Sequence, residues 1–289
     1  MDFAERVKVS DDIVWVGADD ADLEIFESQY PVEGISYNSY VILDEKITIM
    51  DTVDRRGTAQ FFDNLAKVLG DNKPSYLIVQ HMEPDHAANV GKLAEMYPEM
   101  VLVGSMQTQQ MLPKYFDEDL FGRFQTVKEG ETLSLGRHTL QFVMAPMVHW
   151  PEVMVSYEQT EKVLFSADGF GTFGALENNK EWIADASHYY FNIVGKYGAQ
   201  VQALLKKASA LDIQTIAPLH GPVHKDDIDR RFSRGQHLHD IDEKMELRYS
   251  HENPDIKKLY EEFLGEPVGE LSEQLLHTNH FGWKMPNEE

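Results

Sequence analysis

Seven side chains of metal-ligating type run through this chain in a fixed order. His81, Glu83, Asp85 and His86 crowd one short stretch, and His149, Asp168 and His220 follow at long intervals. Four imidazoles and three carboxylates are enough to hold two metal ions side by side, so a dinuclear metal site is the first expectation. A lone histidine in such a position reads as a hydrogen-bonded core residue. The repeated placement of the whole set argues for metal.

Each candidate ligand follows a stretch that reads as a strand. Residues 75–80 are short, apolar and β-prone and end at His81, with a helix expected over 89–96. Thr139–Met144 precedes Pro146-Met147-Val148-His149-Trp150-Pro151, residues 163–167 run into Asp168, and 213–217 precede His220-Gly221-Pro222. Side chains at strand ends can converge on one point while the scaffold holds them rigid. Further strands are expected over 13–16, 37–43 and 47–50. Thr58–Leu69 reads as an amphipathic helix stopped by Gly70, with Pro74 beyond it. Helices are also expected over 107–114, 182–197 and 201–210. Periodicity alone says α/β or α+β.

At 289 residues and 42% hydrophobic content, one large domain plus an appendage is expected. The formal charge of −23 disfavours nucleic acid, whose binding is driven by phosphate neutralisation, and reads as a solvated acidic surface. With no cysteine, disulfides, rubredoxin-type iron and iron–sulfur clusters are excluded within this chain. The start, Met1-Asp2-Phe3-Ala4-Glu5-Arg6, lacks a signal pattern, and no apolar run reaches membrane length. The expectation is a cytoplasmic protein without membrane insertion.

The cluster resembles the metallo-β-lactamase superfamily, whose hydrolases usually carry His-x-His-x-Asp-His. Here Glu83 stands at the second histidine. With Asp85, His86, His149, Asp168 and His220, this pattern is similar to the diiron domain of flavodiiron proteins. Ser36-Tyr37-Asn38-Ser39-Tyr40, Asp51-Thr52-Val53, His149-Trp150-Pro151, the run from Phe165 to Gly174 and His220-Gly221-Pro222 carry the resemblance across roughly residues 1–230. It implies an αββα sandwich of α+β class. It also implies that His81, Glu83 and His149 bind one iron, that Asp85, His86 and His220 bind the other, and that Asp168 bridges an oxo- or hydroxo-linked pair. A carboxylate at 83 suits iron cycling between ferrous and ferric better than a hydrolytic zinc pair. Three carboxylates and a bridging hydroxide neutralise a diferrous core, and the site is neutral again once both irons are ferric and peroxide is bound.

The chain departs from the family pattern in places. Ala87-Ala88 replaces a small residue plus Gly, and Glu27 falls where many relatives have a second-sphere histidine, which bears on proton delivery or pocket polarity. The stretch after His220 is well short of a flavin domain of about 150 residues and has no phosphate-cradling loop, so no FMN is expected. From Arg231 to the end a helical arm is expected, giving domains 1–230 and 231–289. Roughly 231–280 resemble the C-terminal segment of iron-only hydrogenases. His237 and His239 in that arm do not share a helix face. Around the site, Trp150, Phe170, Phe173, Tyr189 and Tyr190 are candidates for an apolar wall, and Trp150, Glu27 and Tyr190 are the pocket candidates.

Three functions follow from the resemblance. The first is an oxygen-binding diiron protein that forms a peroxo adduct as an oxygen or redox sensor, because a diferrous pair gives only two electrons. Its partner would be a signalling protein such as a chemotaxis receptor. The second is a dioxygen or nitric oxide reductase fed by a separate flavoprotein. The third is a zinc hydrolase, which Glu83 disfavours. A homodimer or higher oligomer is expected.

Overall fold

The computed structural model describes residues 7–116, 121–176, 186–187, 189–225, 228 and 231–232. Strands are numbered along the chain. After β1 (Ile13–Trp15), β2 (Ala18–Asp20) pairs with β5 (Ile35–Tyr37), and β3 (Ile25–Phe26) pairs with β4 (Tyr30–Pro31). The first large sheet adds β6 (Tyr40–Ile42), β7 (Thr48–Met50), β8 (Tyr76–Val79), β9 (Val101–Gly104) and β10 (Phe124–Thr126), in the order β1-β6-β7-β8-β9-β10. The second contains β11 (Thr132–Ser134), β12 (Thr139–Met144), β13 (Met154–Glu158), β14 (Val163–Phe165) and β15 (Thr215–Ala217), in sequence order.

Alternation along the strands sets the layers. In β8, Ile78 joins Phe142, Met154 and Phe165 of the second sheet in one apolar cluster. Leu77 and Val79 join Phe61, Leu65 and Leu93 from helices α1 (Thr58–Leu69) and α3 (Val90–Met96) in another. A strand buried on both faces reads as an unbroken apolar run, as this one does. Two sheets therefore face each other with helices outside, the αββα sandwich of mixed α and β structure that the sequence suggests. Helix α1 buries Phe61, Leu65 and Leu69 four residues apart. It stops at Gly70, whose φ of 54° suits glycine and whose N–H reaches the Ala66 carbonyl at 3.0 Å.

The expected strand over 37–43 is instead two strands. Asn38 breaks it: its N–H donates to the Leu219 carbonyl at 2.7 Å, and its Nδ2 donates to the Pro218 and Gly221 carbonyls at 2.9 and 2.8 Å. Backbone hydrogen bonds that would continue the ladder go to the loop carrying His220. The expected α-helix over 182–197 also differs where it is described. Tyr190–Val194 form a π-turn and Gly195–Tyr197 a 3-10 turn, with a regular helix, α4 (Gly198–Ala208), only beyond them. Gly195, at the junction of the two turns, weakens regular helix there. Strands β9 and β13 lie inside their sheets but are not anticipated from the pattern. Of the expected arm only Arg231 and Phe232 are described, the latter with its ring centroid 5.0 Å from that of Phe170. His237, His239 and the rest lie outside the described residues.

Candidate metal centre

All seven candidate ligands meet at one rim of the sandwich. His81 follows the end of β8, and Glu83 caps the short helix α2 (Pro84–Ala87), which carries Asp85 and His86. Pro84 at the first helical position suits that tight entry, since its missing N–H has no helical partner to lose. From the second sheet come His149 after β12, Asp168 after β14 and His220 after β15. The turn to His149 is sharp: Met147 has a φ of 64° and the Val148–His149 peptide is cis.

The ligand atoms form two adjacent sets. His81, Glu83, His149 and Asp168 make one, and Asp85, His86 and His220 the other, with the donor atoms of each set within 4.8 Å of one another. Asp168 faces both. Its Oδ2 lies 3.3 Å from His81 Nε2 and 3.1 Å from His149 Nε2, while its Oδ1 lies 3.2 Å from His86 Nε2 and 4.0 Å from His220 Nε2. Asp85 Oδ2 stands 3.1 Å from both His86 Nε2 and His220 Nε2. Glu83 Oε2 lies 3.1 Å from His81 Nε2 and 2.9 Å from His149 Nε2.

These atoms are close without being satisfied. Both Asp85 carboxylate oxygens, Asp168 Oδ1 and both ring nitrogens of His86 are buried with no aligned hydrogen bond. Buried carboxylates without partners are costly unless a cation receives them. The imidazoles face the same centre, because His81 Nδ1 bonds Glu152 Oε1 at 2.8 Å and His220 Nδ1 donates to the Ser36 carbonyl at 2.7 Å. A proton held on Nδ1 leaves the Nε2 lone pair for a metal. The nitrogen and oxygen donors therefore fit a pair of first-row metal ions.

Mutual charge dominates the electrostatics. Burial opposes ionisation of Asp168, but the His81 charge outweighs it and holds Asp168 well below the usual carboxylate range. Burial likewise opposes a charge on His86, yet Asp85 and Asp168 lift it to about 10. His149 rises to about 9 against burial through Asp168 and Glu83, and Glu83 falls to about 2 against burial through His149 and His81. A metal entering this set displaces imidazole protons.

Of the pocket candidates, Trp150 is at the site, its ring edge-on to His81 with centroids 5.4 Å apart. Glu27 is exposed as a residue, but its carboxyl shares a hydrogen bond with Glu83, and desolvation beside that carboxylate lifts it to about 8. Tyr190 instead lines an apolar cavity behind Asp168. The aromatic wall against His220 consists of Phe26, Tyr37 and Tyr189, with centroids at 5.5, 5.9 and 5.6 Å. Phe173 packs one layer out, on Phe26 and Tyr189.

One supporting carboxylate escapes sequence reasoning, and a second is legible there only as part of the Asp51-Thr52-Val53 run. Glu152 Oε1, besides bonding His81, accepts the Met82 N–H at 2.8 Å. Its closeness to His149 in sequence is the only local signal. Asp51 accepts from the Gln80 N–H at 2.7 Å, from Gln80 Nε2 at 2.9 Å and from the His81 N–H at 3.3 Å, which pins the entry to the ligand loop. Thr52 Oγ1 donates to the His86 carbonyl at 2.6 Å and pins the far side of the same loop. A third cluster, Asp12, His138 and Glu161, lies elsewhere. There Arg137 already supplies the cation: its Nη2 bonds Asp12 and lies 3.6 Å from Glu161 Oε1 and 3.2 Å from His138 Nε2.

Fold and site together define a metallo-β-lactamase-like domain with two adjoining metal-ligating sets. The chain belongs to the ODP family of beta lactamase domains, whose model matches residues 35–221. Residues 228–283 match the iron hydrogenase small subunit. The chain is 32% identical over 232 residues to putative diflavin flavoprotein A 1 of Nostoc sp., covering 76% of this chain and 39% of that protein. It is 30% identical over 250 residues to the nitric oxide reductase of Moorella thermoacetica, covering 81% and 62% respectively. It thus spans only about two fifths to three fifths of these relatives' length. Among solved structures, the rubredoxin oxygen:oxidoreductase of Desulfovibrio gigas matches with a TM-score of 0.75 at 30% identity, covering 82% of this chain and 61% of that one. The flavodiiron protein of Giardia intestinalis matches with a TM-score of 0.75 at 27% identity, covering 81% and 59%. No helix among the described residues is long and apolar enough to cross a membrane.

Proposed function

We propose that this chain is a cytoplasmic non-haem diiron protein that binds dioxygen and works as an oxygen or redox sensor. The observation that carries this reading is Asp168, which turns one carboxylate oxygen toward each donor set. His81, Glu83 and His149 would hold one iron and Asp85, His86 and His220 the other, with Asp168 between them. The iron pair, when bound, supplies two electrons to a gaseous ligand. Protein groups do the rest: Glu152 and Ser36 orient His81 and His220, and Trp150 covers the His81 side against water. The sequence has no cysteine to ligate the iron centres that could store further electrons, which supports a reaction that stops at the two-electron stage. On this reading, residues 1–230 form the diiron domain and 231–289 an arm that engages a signalling protein.

A second reading is a dioxygen or nitric oxide reductase fed by a separate flavoprotein. The nitric oxide reductase and the rubredoxin oxygen:oxidoreductase among the relatives favour it. One experiment separates the two. Protein loaded anaerobically with ferrous iron is expected to hold two irons and, on mixing with oxygen and no reductant, to give an optical change that persists. Decay within milliseconds, or rapid turnover once a flavoprotein donor is added, would establish the reductase. Turnover of a hydrolysable substrate by the zinc-loaded protein, with the iron-loaded protein inert to both gases, would remove both readings.

A further inference from the structure

The second sheet and its helix layer leave a space between them. An apolar cavity of about 80 Å³ is walled by Leu164, Tyr189, Val194, Val201, Leu205 and Ala208. Asp168, which faces both donor sets, belongs to the same wall. Ser166, also in the wall, already uses its hydroxyl as a donor to the Gly169 carbonyl at 2.5 Å. The π-turn supplies Tyr190 and Val194, and such turns within helices are frequent at functional sites.

Protein interiors close nearly all such space, and voids larger than a water molecule are few. A void lined by aliphatic and aromatic side chains stays dry and accepts apolar guests such as xenon. Two properties select the natural guest here. The volume excludes a flavin, nucleotide or sugar, and a lining that is aliphatic and aromatic apart from Ser166, Asp168 and Arg231 disfavours strongly hydrated guests. A neutral diatomic gas satisfies both, and Asp168 in the wall puts it next to the candidate metal centre. We propose that this cavity docks dioxygen or nitric oxide and delivers it past Asp168 to the seven-ligand site. The inference rests on the diiron reading above, although the cavity itself can be tested without iron.

Zinc-loaded protein under xenon pressure provides that test. Wild type is expected to seat xenon in the cavity, seen by anomalous scattering or xenon NMR, and Val201→Phe to lose it with metal content unchanged. In stopped flow, iron-loaded Val201→Phe should then take up gas several-fold more slowly than wild type. If Val201→Phe fails to fold, Ala208→Met fills the same space with a more adaptable side chain. Absence of xenon from wild type, while its iron still reacts with oxygen, overturns the cavity and spares the proposed function. Bound xenon with an unchanged uptake rate in the filled variant overturns the route. Iron-loaded wild type inert to dioxygen sinks the proposed function, and the route is then read with nitric oxide; inertness to both gases overturns both.

Discussion

Glu152 shows how much of the candidate site depends on residues outside the two donor sets. It holds the Nδ1 side of His81 and the Met82 N–H together. Truncation in Glu152→Ala should lower metal affinity by about 10- to 100-fold, the usual effect of losing an outer partner of a ligating histidine. Glu152→Gln, which keeps one acceptor, should recover part of it. Competition against a graded chelator reads both, and unchanged affinity in the alanine variant would mean that His81 is oriented by other groups. His224 tests a different balance. It is buried, its Nε2 donates to the Phe170 carbonyl at 3.1 Å, and burial together with Arg231 pushes it down to about 3. A histidine depressed in the fold stabilises it fully above the unfolded value near 6.5 and loses that stability as pH falls toward 3. Wild type should therefore lose about 1.4 kcal/mol per pH unit through that window from this residue. His224→Asn should lack this component in denaturant titrations between pH 7 and 5. Parallel pH profiles for the two proteins would refute it.

The connecting elements carry as much of the geometry as the strands. Gly221 follows His220 with a φ of 81°, and its N–H donates to Ser36 Oγ at 2.7 Å. A Cβ there would lie 2.2 Å from Thr172 Oγ1. Gly221→Ala thus combines left-handed strain with a clash and should cost about 1–3 kcal/mol, with weaker metal retention because His220 shifts. Adding Thr172→Ala should relieve the clash but not the strain, so thermal melts of the double variant should show partial recovery. Full recovery would mean that the backbone conformation costs nothing. Asn38 has a similar role at the other side of that loop, where its contacts to residues 218–221 account for the break between β5 and β6.

At the scale of the whole molecule, every candidate ligand lies on the sandwich, and the described chain returns to it through Arg231 and Phe232. Truncation after Phe232 should therefore give a folded protein with undiminished metal content. The measurable change should be in self-association or partner binding, read by light scattering and pull-down with candidate signalling proteins. A truncated protein that folds but holds no metal would show that the C-terminal segment completes the site. The inter-sheet core, with Ile78, Phe142 and Phe165 at its centre, predicts the same independence.

The candidate donor set was legible in the sequence because donor chemistry belongs to each side chain. Placement after strands was legible too, because an apolar run ending in a polar turn is a local pattern, as after residues 75–80 and 163–167. Helix α1 was equally local, down to the glycine that stops it. What tertiary structure alone decided are relations across distance in the chain. Glu152 looks like any acidic residue until His81, 71 positions earlier, lies against it. Asn38 reads as part of a strand until carbonyls some 180 positions later claim its side chain. Which oxygen of Asp168 faces which set, and the cavity beside it, depend on how two sheets and a helix layer meet. Local periodicity reports which face of an element is apolar and is blind to what that face will pack against.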